Sequence, residues 1–194
     1  DGGYLLVVTD CIEGSDMVLI LLAGKDSVLK QDLVSASGGV DIVCRADGGA
    51  ERMAGKVAEA MERGGFPKKG ITLAVVGERL ASFKGKSQGD LNDLVANLLW
   101  VLEQDHGCTF REIRTCGSSG IEQAATVAAL SLGIKASVIA PGGWRITDAR
   151  GNTIFGYRAF TERFRDCPVI PEAKEFNESL KPKDYEERRP VNIS

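Results

Sequence analysis

The sequence predicts an α/β fold, with an open, mostly parallel sheet and helices on both faces. Three observations predict it: short apolar runs recur along the chain, helical patterns separate them, and glycines stand at most junctions. Continuous apolar runs are typical of strands that are covered on both faces. Strands that alternate with helices form parallel sheets through right-handed crossovers. We therefore expect any ligand to lie outside the carboxyl ends of the strands.

The composition argues against several classes of protein. The 194 residues are 43% hydrophobic and have a formal net charge of −3, so the chain can bury a core and has no general attraction to nucleic acid. We also expect no transmembrane segment, because the longest apolar run is too short. Five cysteines without a C-x-x-C pair favour an intracellular, reducing compartment. The chain begins with Asp1 rather than Met, so we expect a processed form or a fragment, and the mitochondrial matrix is one candidate location.

The first half of the chain contains four apolar runs and two helical patterns. Strands are predicted at residues 4–11, 17–23, 41–47 and 71–76, where apolar and β-branched residues concentrate. Helices are predicted at residues 27–35 and 50–63, because apolar side chains recur there at helical spacing. Paired glycines follow both helical patterns, as is common at helix C-termini.

The next segment continues the alternation. A loop at 77–89 leads to a helix that is predicted to begin at Asp90, with a wide apolar stripe. A strand at 110–116, a turn at 117–120, a helix at 121–132 and a strand at 134–140 follow. His106, the only histidine, stands at the end of the Asp90 helix, where it suits the helix dipole. We assign it no catalytic role.

The pattern changes beyond residue 143, so we predict an α/β domain at 1–143 and an appendage with a charged tail at 144–194. Residues 148–152 are typical of a hairpin turn between short strands. Aromatic side chains then recur at helical spacing, and from residue 172 mixed charges predict an extended arm. We expect this C-terminal aromatic and charged segment to contact other protein subunits. The alternative is a tail that folds back on its own domain.

The strand at 41–47 passes into the following helix through Asp47, Gly48 and Gly49. Glycines let the backbone approach a ligand, a helix start supplies unpaired N–H groups, and a carboxylate at a strand end can hold a metal. The alternative is a tight turn in which Asp47 caps the helix. The local residues leave both interpretations open.

On the order of its predicted elements and the motifs at their junctions, the segment 17–140 resembles the nucleotide-binding domain of thiamine pyrophosphokinase. The family signature A-D-G-G-A-x-R-[LM] matches residues 46–53, and its D-x-T-D motif matches residues 90–93, read here as Asp-Leu-Asn-Asp. The resemblance implies an ATP and Mg²⁺ site. Its metal ligands would be Asp47, Glu78, Asp90 and Asp93. Its nucleotide-binding residues would be Asp47, Gly48, Gly49, Arg79, Asp90 and Asp93.

The chain departs from the family pattern at several places. Where the family has G-D-F-D-S, residues 77–81 read Gly-Glu-Arg-Leu-Ala, so Glu78 replaces the first acid and Leu80 the second. Gly120 stands where the family has an arginine in a later turn. Most of the family's C-terminal β-sandwich, which helps form the thiamine site and the dimer, has no counterpart. Because phosphoryl transfer depends on positioned charge, we expect no cofactor unless the ancestral site is retained.

The leading hypothesis is therefore a pseudoenzyme: a non-catalytic, thiamine-pyrophosphokinase-like accessory or structural subunit of a larger intracellular, candidate mitochondrial, assembly. One alternative is an active thiamine pyrophosphokinase or a related Mg-ATP-dependent transferase. A further alternative is a nucleotide-binding sensor without turnover. The surviving acids also have a structural interpretation, because Asp90 as an N-cap with Asp93 three residues later resembles a capping box.

Two other catalytic arrangements rank lower. Asp10, Lys84 and Cys116 occur in the order of an isochorismatase-like hydrolase, but Cys116 closes a strand and a four-residue turn separates it from the next helix. Ser118 and Ser119 follow a strand without a G-x-S-x-G elbow, so a turn explains them more simply.

Overall fold

The computed structural model describes residues 8–24, 29–140, 144, 146–147, 150, 152–154 and 156–167. The central strands are β1 Met17–Leu22, β2 Asp41–Arg45, β3 Ile71–Gly77, β4 Phe110–Thr115 and β5 Lys135–Val138. They form one parallel sheet in the order β2-β1-β3-β4-β5. The predicted α/β fold is confirmed. The chain passes from β1 to β2 on one side of β1 and then returns to form β3 on the other side of β1. The direction of strand order therefore reverses between β1 and β3.

The helices that follow β1 are α1 Leu29–Ser37, α2 Ala50–Gly64, α3 Gln88–Gln104, α4 Ile121–Ser131 and α5 Tyr157–Arg163. They cover both faces of the sheet. In β1, Leu19 and Leu21 face a core with α2, α3 and α4, whereas Val18 and Ile20 face a second core that includes Leu33 of α1. All six β1 side chains are buried, which is why this strand is apolar throughout.

The prediction of a strand at residues 4–11 is wrong for its described part, because residues 8–12 are helical. Val8, Cys11 and Ile12 are buried against the second core. Their spacing of three and four residues places them on one helical face. A short apolar run does not by itself distinguish a strand from a buried helix. Residues 4–7 lie outside the described residues.

The other elements match the predictions with shifted ends. The strands are shorter than predicted at 41–45, 110–115 and 135–138, and the helix predicted at Asp90 begins at Gln88. α1 begins at Leu29, and the predicted start at 27–28 lies outside the described residues. The hairpin is present as β6 Ile146–Thr147 and β7 Thr153–Ile154, which pair antiparallel. Positions 148, 149 and 151 of its predicted turn lie outside the described residues.

α5 packs on the α/β core. Phe160 is fully buried and Phe164 is 3% exposed, and both belong to the core under α2, α3 and α4. The Phe160 ring centroid lies 5.0 Å from that of Phe164 and 5.7 Å from that of Trp144. These aromatic side chains therefore stabilise their own domain, and the core includes residues on both sides of position 143. The arm predicted from residue 172 lies outside the described residues.

Among the residues described, no helix is both long enough and apolar enough to cross a membrane.

Candidate functional site

Glu78 lies at the carboxyl end of β3, beside the end of β1, where the strand order reverses. Its Oε2 accepts a hydrogen bond from the backbone N–H of Ala23 at 2.5 Å. Its own backbone N–H donates to the carbonyl oxygen of Leu21 at 3.2 Å. Glu78 is 9% exposed. Doubly wound sheets bind ligands at this reversal point, and here a carboxylate of the chain itself binds the residue that follows β1.

Two glycines allow close backbone contacts at the carboxyl end of β3. A Cβ on Gly77 would lie 2.3 Å from the carbonyl oxygen of Leu21. Gly120 has φ +94, and a Cβ there would lie 2.5 Å from the backbone nitrogen of Leu80 and 2.6 Å from the carbonyl oxygen of Glu78. The resemblance predicts an arginine at this position, but the backbone around Gly120 leaves no room for a Cβ.

Gln88 joins the first turn of α3 to the loop before α4. Its Oε1 accepts the backbone N–H of Gly120 at 2.7 Å, and its Nε2 donates to the carbonyl oxygen of Gly120 at 2.9 Å. Nε2 also donates to Oδ1 of Asn92 at 2.9 Å. We did not single out Gln88 from the sequence. The available signal was Ser87 with Asp90 three residues later, which places Gln88 at the start of the helix.

Asp90 belongs to a capping box, one turn earlier than predicted. Ser87 is the N-cap of α3, and its Oγ accepts the backbone N–H of Asp90 at 3.1 Å. Oδ2 of Asp90 accepts the backbone N–H of Ser87 at 2.7 Å and its hydroxyl at 2.8 Å. The prediction that Asp90 is the N-cap and Asp93 its partner is therefore wrong, because a serine upstream takes the N-cap position. The hydrogen bonds from the Ser87 backbone and side chain lower the pKa of Asp90.

Replacing Asp90 with asparagine is expected to lower the free energy of unfolding at neutral pH, because the charged acceptor of the capping box is lost. The folded-state pKa of Asp90 is depressed. Its contribution is therefore complete above the ordinary aspartate pKa of about 3.9 and disappears as the pH falls through the lower folded value. Urea unfolding of both proteins across this range measures the difference. Asp93→Asn is the control, since Asp93 is exposed and outside the box. An equal effect of both substitutions contradicts the assignment.

Asp47 is half-exposed, and its Oδ2 lies 3.6 Å from Nε of Arg45. The N-cap of α2 is Gly49, at φ −67 and ψ 161, without a side-chain cap. The interpretation that Asp47 caps this helix is therefore wrong. Gly48 lies between the two, so the strand passes through a turn into α2, and the N-cap position of this helix supplies no side-chain oxygen to its first N–H groups.

The predicted metal ligands do not form a common shell. Within the described part of the chain, no group of three or more His, Cys, Asp or Glu side chains could hold a metal ion. Each of the four predicted ligands has a different environment. Asp47 pairs with Arg45, and Glu78 accepts a hydrogen bond from Ala23. Asp90 belongs to the capping box, and Asp93 is exposed on α3. Arg79, half-buried, directly precedes the 3-10 turn at Leu80–Ser82.

The lower-ranked catalytic residues gain no support. Cys116 is buried, and burial, followed by the neighbouring Cys11 thiol, raises its pKa well above the ordinary value, so the thiol stays protonated. Lys84 is exposed on the loop after β3. Ser119 is buried, and the backbone N–H of Ser118 donates to Oε2 of Glu122 at 2.9 Å. His106 precedes β4 and the serines follow it, so they lie at opposite ends of this strand.

A cavity that we did not anticipate from the sequence opens at the carboxyl ends of β1 and β2. Its volume is about 390 Å³. Three of its lining residues are cationic and come from different elements: Lys30 of α1, Arg45 of β2 and Lys56 of α2. Leu22 and Val43 contribute apolar surface. β2 is an edge strand, so this cavity lies at the margin of the sheet, and Leu22 and Gly24 place one side of it next to Ala23 at the end of β1.

The fold and this geometry define a doubly wound parallel α/β domain. No protein-family model matches the chain, and neither a curated protein nor a solved structure matches it significantly. The resemblance to thiamine pyrophosphokinase stays a prediction.

Proposed function

We propose that this protein is a non-catalytic, thiamine-pyrophosphokinase-like subunit of a larger intracellular assembly. The observation that carries the proposal is the hydrogen bond from the Ala23 backbone N–H to the Glu78 carboxylate at 2.5 Å. A metal ion at Glu78 would compete for this carboxylate at the place where β1 ends. Since the N–H is partly buried, leaving it without an acceptor costs about 1–3 kcal/mol.

The other retained acids also have structural partners. Asp90 holds the capping box of α3, and Asp47 pairs with Arg45. Mg²⁺ in phosphoryl-transfer sites requires carboxylates that converge on the ion and on the substrate phosphates. These acids each act on a different loop or helix end, which supports retention of the fold without retention of the chemistry.

The proposed setting is an assembly in a reducing compartment, with the mitochondrial matrix as the candidate organelle. All five cysteines are buried, and the structure describes all of them as thiols. Trp100 on α3 is 50% exposed, which is unusual for so large an apolar side chain and suits a protein contact. Because Phe160 and Phe164 are buried, we assign the proposed C-terminal contact to the charged residues beyond the described part rather than to these rings.

The proposal predicts that the purified protein does not release AMP from ATP in the presence of Mg²⁺ and thiamine. Pyrophosphoryl transfer yields one AMP per product molecule, so AMP is a direct measure of turnover. A genuine thiamine pyrophosphokinase assayed in parallel serves as the positive control. Native protein should also elute from size-exclusion chromatography with other subunits. A free monomer with thiamine-dependent AMP release that Glu78→Gln abolishes would overturn the proposal.

A nucleotide-binding sensor without turnover is the second candidate. It is supported by the start of α2, where Gly48 and Gly49 precede a helix without a side-chain cap, since such N–H groups favour anions. Mg²⁺-ATP would then raise the Tm by mass action without AMP release. Asp90→Asn should leave this shift unchanged if the nucleotide contacts α2. The active transferase, the remaining alternative, requires the shift and AMP release together.

A further inference from the structure

The cavity at the β2 edge combines positive charge from three directions. α1 and α2 lie on opposite faces of the sheet, so Lys30 and Lys56 approach the edge strand from both sides. Arg45, the last residue of β2, lies between them. We propose that this cavity binds the phosphate group of a small phosphate monoester, at a site centred on β2 rather than on Glu78 at the β1/β3 reversal.

The charge balance favours a dianion. Among the described residues, Asp47 lies 3.6 Å from Arg45 and offsets about one of the three positive charges. In the described part of the chain, neither Lys30 nor Lys56 forms an ion pair. A phosphate monoester carries a charge of about −1.5 to −2 at pH 7, which matches the excess. A single carboxylate would leave positive charge unbalanced.

Cys44 also lines the cavity, and Lys56 and Arg45 lie close enough to act electrostatically on its thiol. Burial raises the pKa of Cys44, whereas the positive charge of Lys56 and, more weakly, that of Arg45 oppose the rise. The Asp47 carboxylate acts in the opposite sense on the same thiol. A bound phosphate would therefore be attracted by both cations and repelled by Asp47.

The dimensions fit an organic phosphate rather than the free ion. A volume of about 390 Å³ lies within the range of small-molecule sites, about 300–1,000 Å³. Leu22 and Val43 supply apolar surface beside the cations, and Gly24 has no side chain to obstruct the mouth. A sugar phosphate and a nucleoside monophosphate share the chemistry that this arrangement recognises.

Isothermal titration of the full chain in magnesium-free buffer tests the proposal. The probes are ribose 5-phosphate and AMP, with ribose and adenosine as uncharged counterparts. We expect binding of at least one phosphate ester, no binding of ribose or adenosine, and weaker binding at high salt. The tighter ester identifies the ligand class. Absence of ester binding, or equal binding of its uncharged counterpart, would overturn the proposal.

Substitutions in the wall locate the site. Lys56→Gln and Lys30→Gln should each weaken binding about tenfold, as expected for loss of a charge-assisted contact. Lys69→Gln removes the same charge from an exposed position just before β3, at the opposite end of the strands from the cavity, and should change nothing. An equal loss in Lys69→Gln would mean diffuse attraction and would overturn the assignment. Circular dichroism melts establish that each variant is folded.

Asp47→Asn gives a result of opposite sign. Removing the carboxylate beside Arg45 should tighten phosphate binding severalfold, because its repulsion is lost and Arg45 is released. If Asp47 instead holds a metal for a nucleotide, the same substitution weakens binding only when Mg²⁺ is present. Unchanged or weaker binding in magnesium-free buffer contradicts the cavity proposal, even if a lysine variant fails to fold.

This inference is independent of the proposed function. Phosphate-ester binding that needs no Mg²⁺ and yields no AMP from ATP is consistent with both proposals. AMP release would overturn the non-catalytic proposal while leaving the effect of Lys56→Gln on ester binding to decide the cavity.

Discussion

Replacing Gly120 with alanine is expected to destabilise the protein by about 4 kcal/mol, combining backbone strain with overpacking. Gly120 has φ +94, and its new Cβ would lie 2.5 Å from the backbone nitrogen of Leu80 and 2.6 Å from the carbonyl oxygen of Glu78. These are backbone atoms, so no side-chain rotation relieves the contact. The free energy of unfolding, measured by urea denaturation of both proteins, gives the difference.

Two other glycines separate strain from contact. Gly133 has φ +70 but no atom within 4 Å of an added Cβ, so Gly133→Ala should cost about 1 kcal/mol from the left-handed backbone alone. Gly55 is inside α2 with open space around it, and Gly55→Ala should stabilise the protein by about 0.8 kcal/mol. If Gly120→Ala costs no more than Gly133→Ala, the loops after β3 and β4 are not in contact. The point where the strand order reverses between β1 and β3 would then be open to a ligand.

Phe160→Ala is expected to cost about 4 kcal/mol, the usual loss for a large aromatic side chain removed from a core. Phe160 is fully buried and its ring contacts those of Phe164 and Trp144. Because the Phe160 and Phe164 rings lie beside Gly117, which follows β4, the loss should appear in global unfolding of the α/β core. Thermal and urea unfolding of the purified chain measure it without any partner.

Tyr157→Ala is the matched control on the same helix. Tyr157 is 36% exposed and meets Trp144 edge to face at a centroid distance of 4.9 Å, so its loss should cost about 1 kcal/mol. The hypothesis that these aromatic side chains contact other subunits predicts instead a small effect of Phe160→Ala on the stability of the isolated chain. If Phe160→Ala leaves the stability of the isolated chain unchanged but releases it from its assembly, Phe160 contacts a partner.

The central strands could be predicted because their information is local. β1 and β3 are buried on both faces, so nearly every position is apolar and the continuous apolar run predicts a strand. The region at 8–12 was predicted wrongly because a short apolar run is compatible with both a helix and a strand. α3 was predicted correctly but its start was not. Ser87 and Asp90 are both residue types that favour N-caps, and only the hydrogen bonds decide which one acts.

The candidate site was less predictable because its contacts join distant segments. Glu78 was predicted as a metal ligand from its place after β3, yet the backbone N–H that it binds belongs to Ala23 at the end of β1. The roles of Lys30 and Lys56 could not be predicted, because lysines on separate helices form no pattern in the sequence. Their convergence on one cavity with Arg45 follows from the crossover that places α1 and α2 on opposite faces of the sheet.

The amino-acid sequence by itself determined the α/β class, the alternation of strands and helices, and the strand ends where a ligand would be sought. Hydrophobic periodicity and glycine placement act over a few residues, so they are legible without coordinates. The tertiary structure alone decided which acids bind backbone, which aromatic rings enter the core and which cations share a cavity. Each of these depends on side chains from segments far apart in the chain, and their separation becomes defined only when the sheet is assembled.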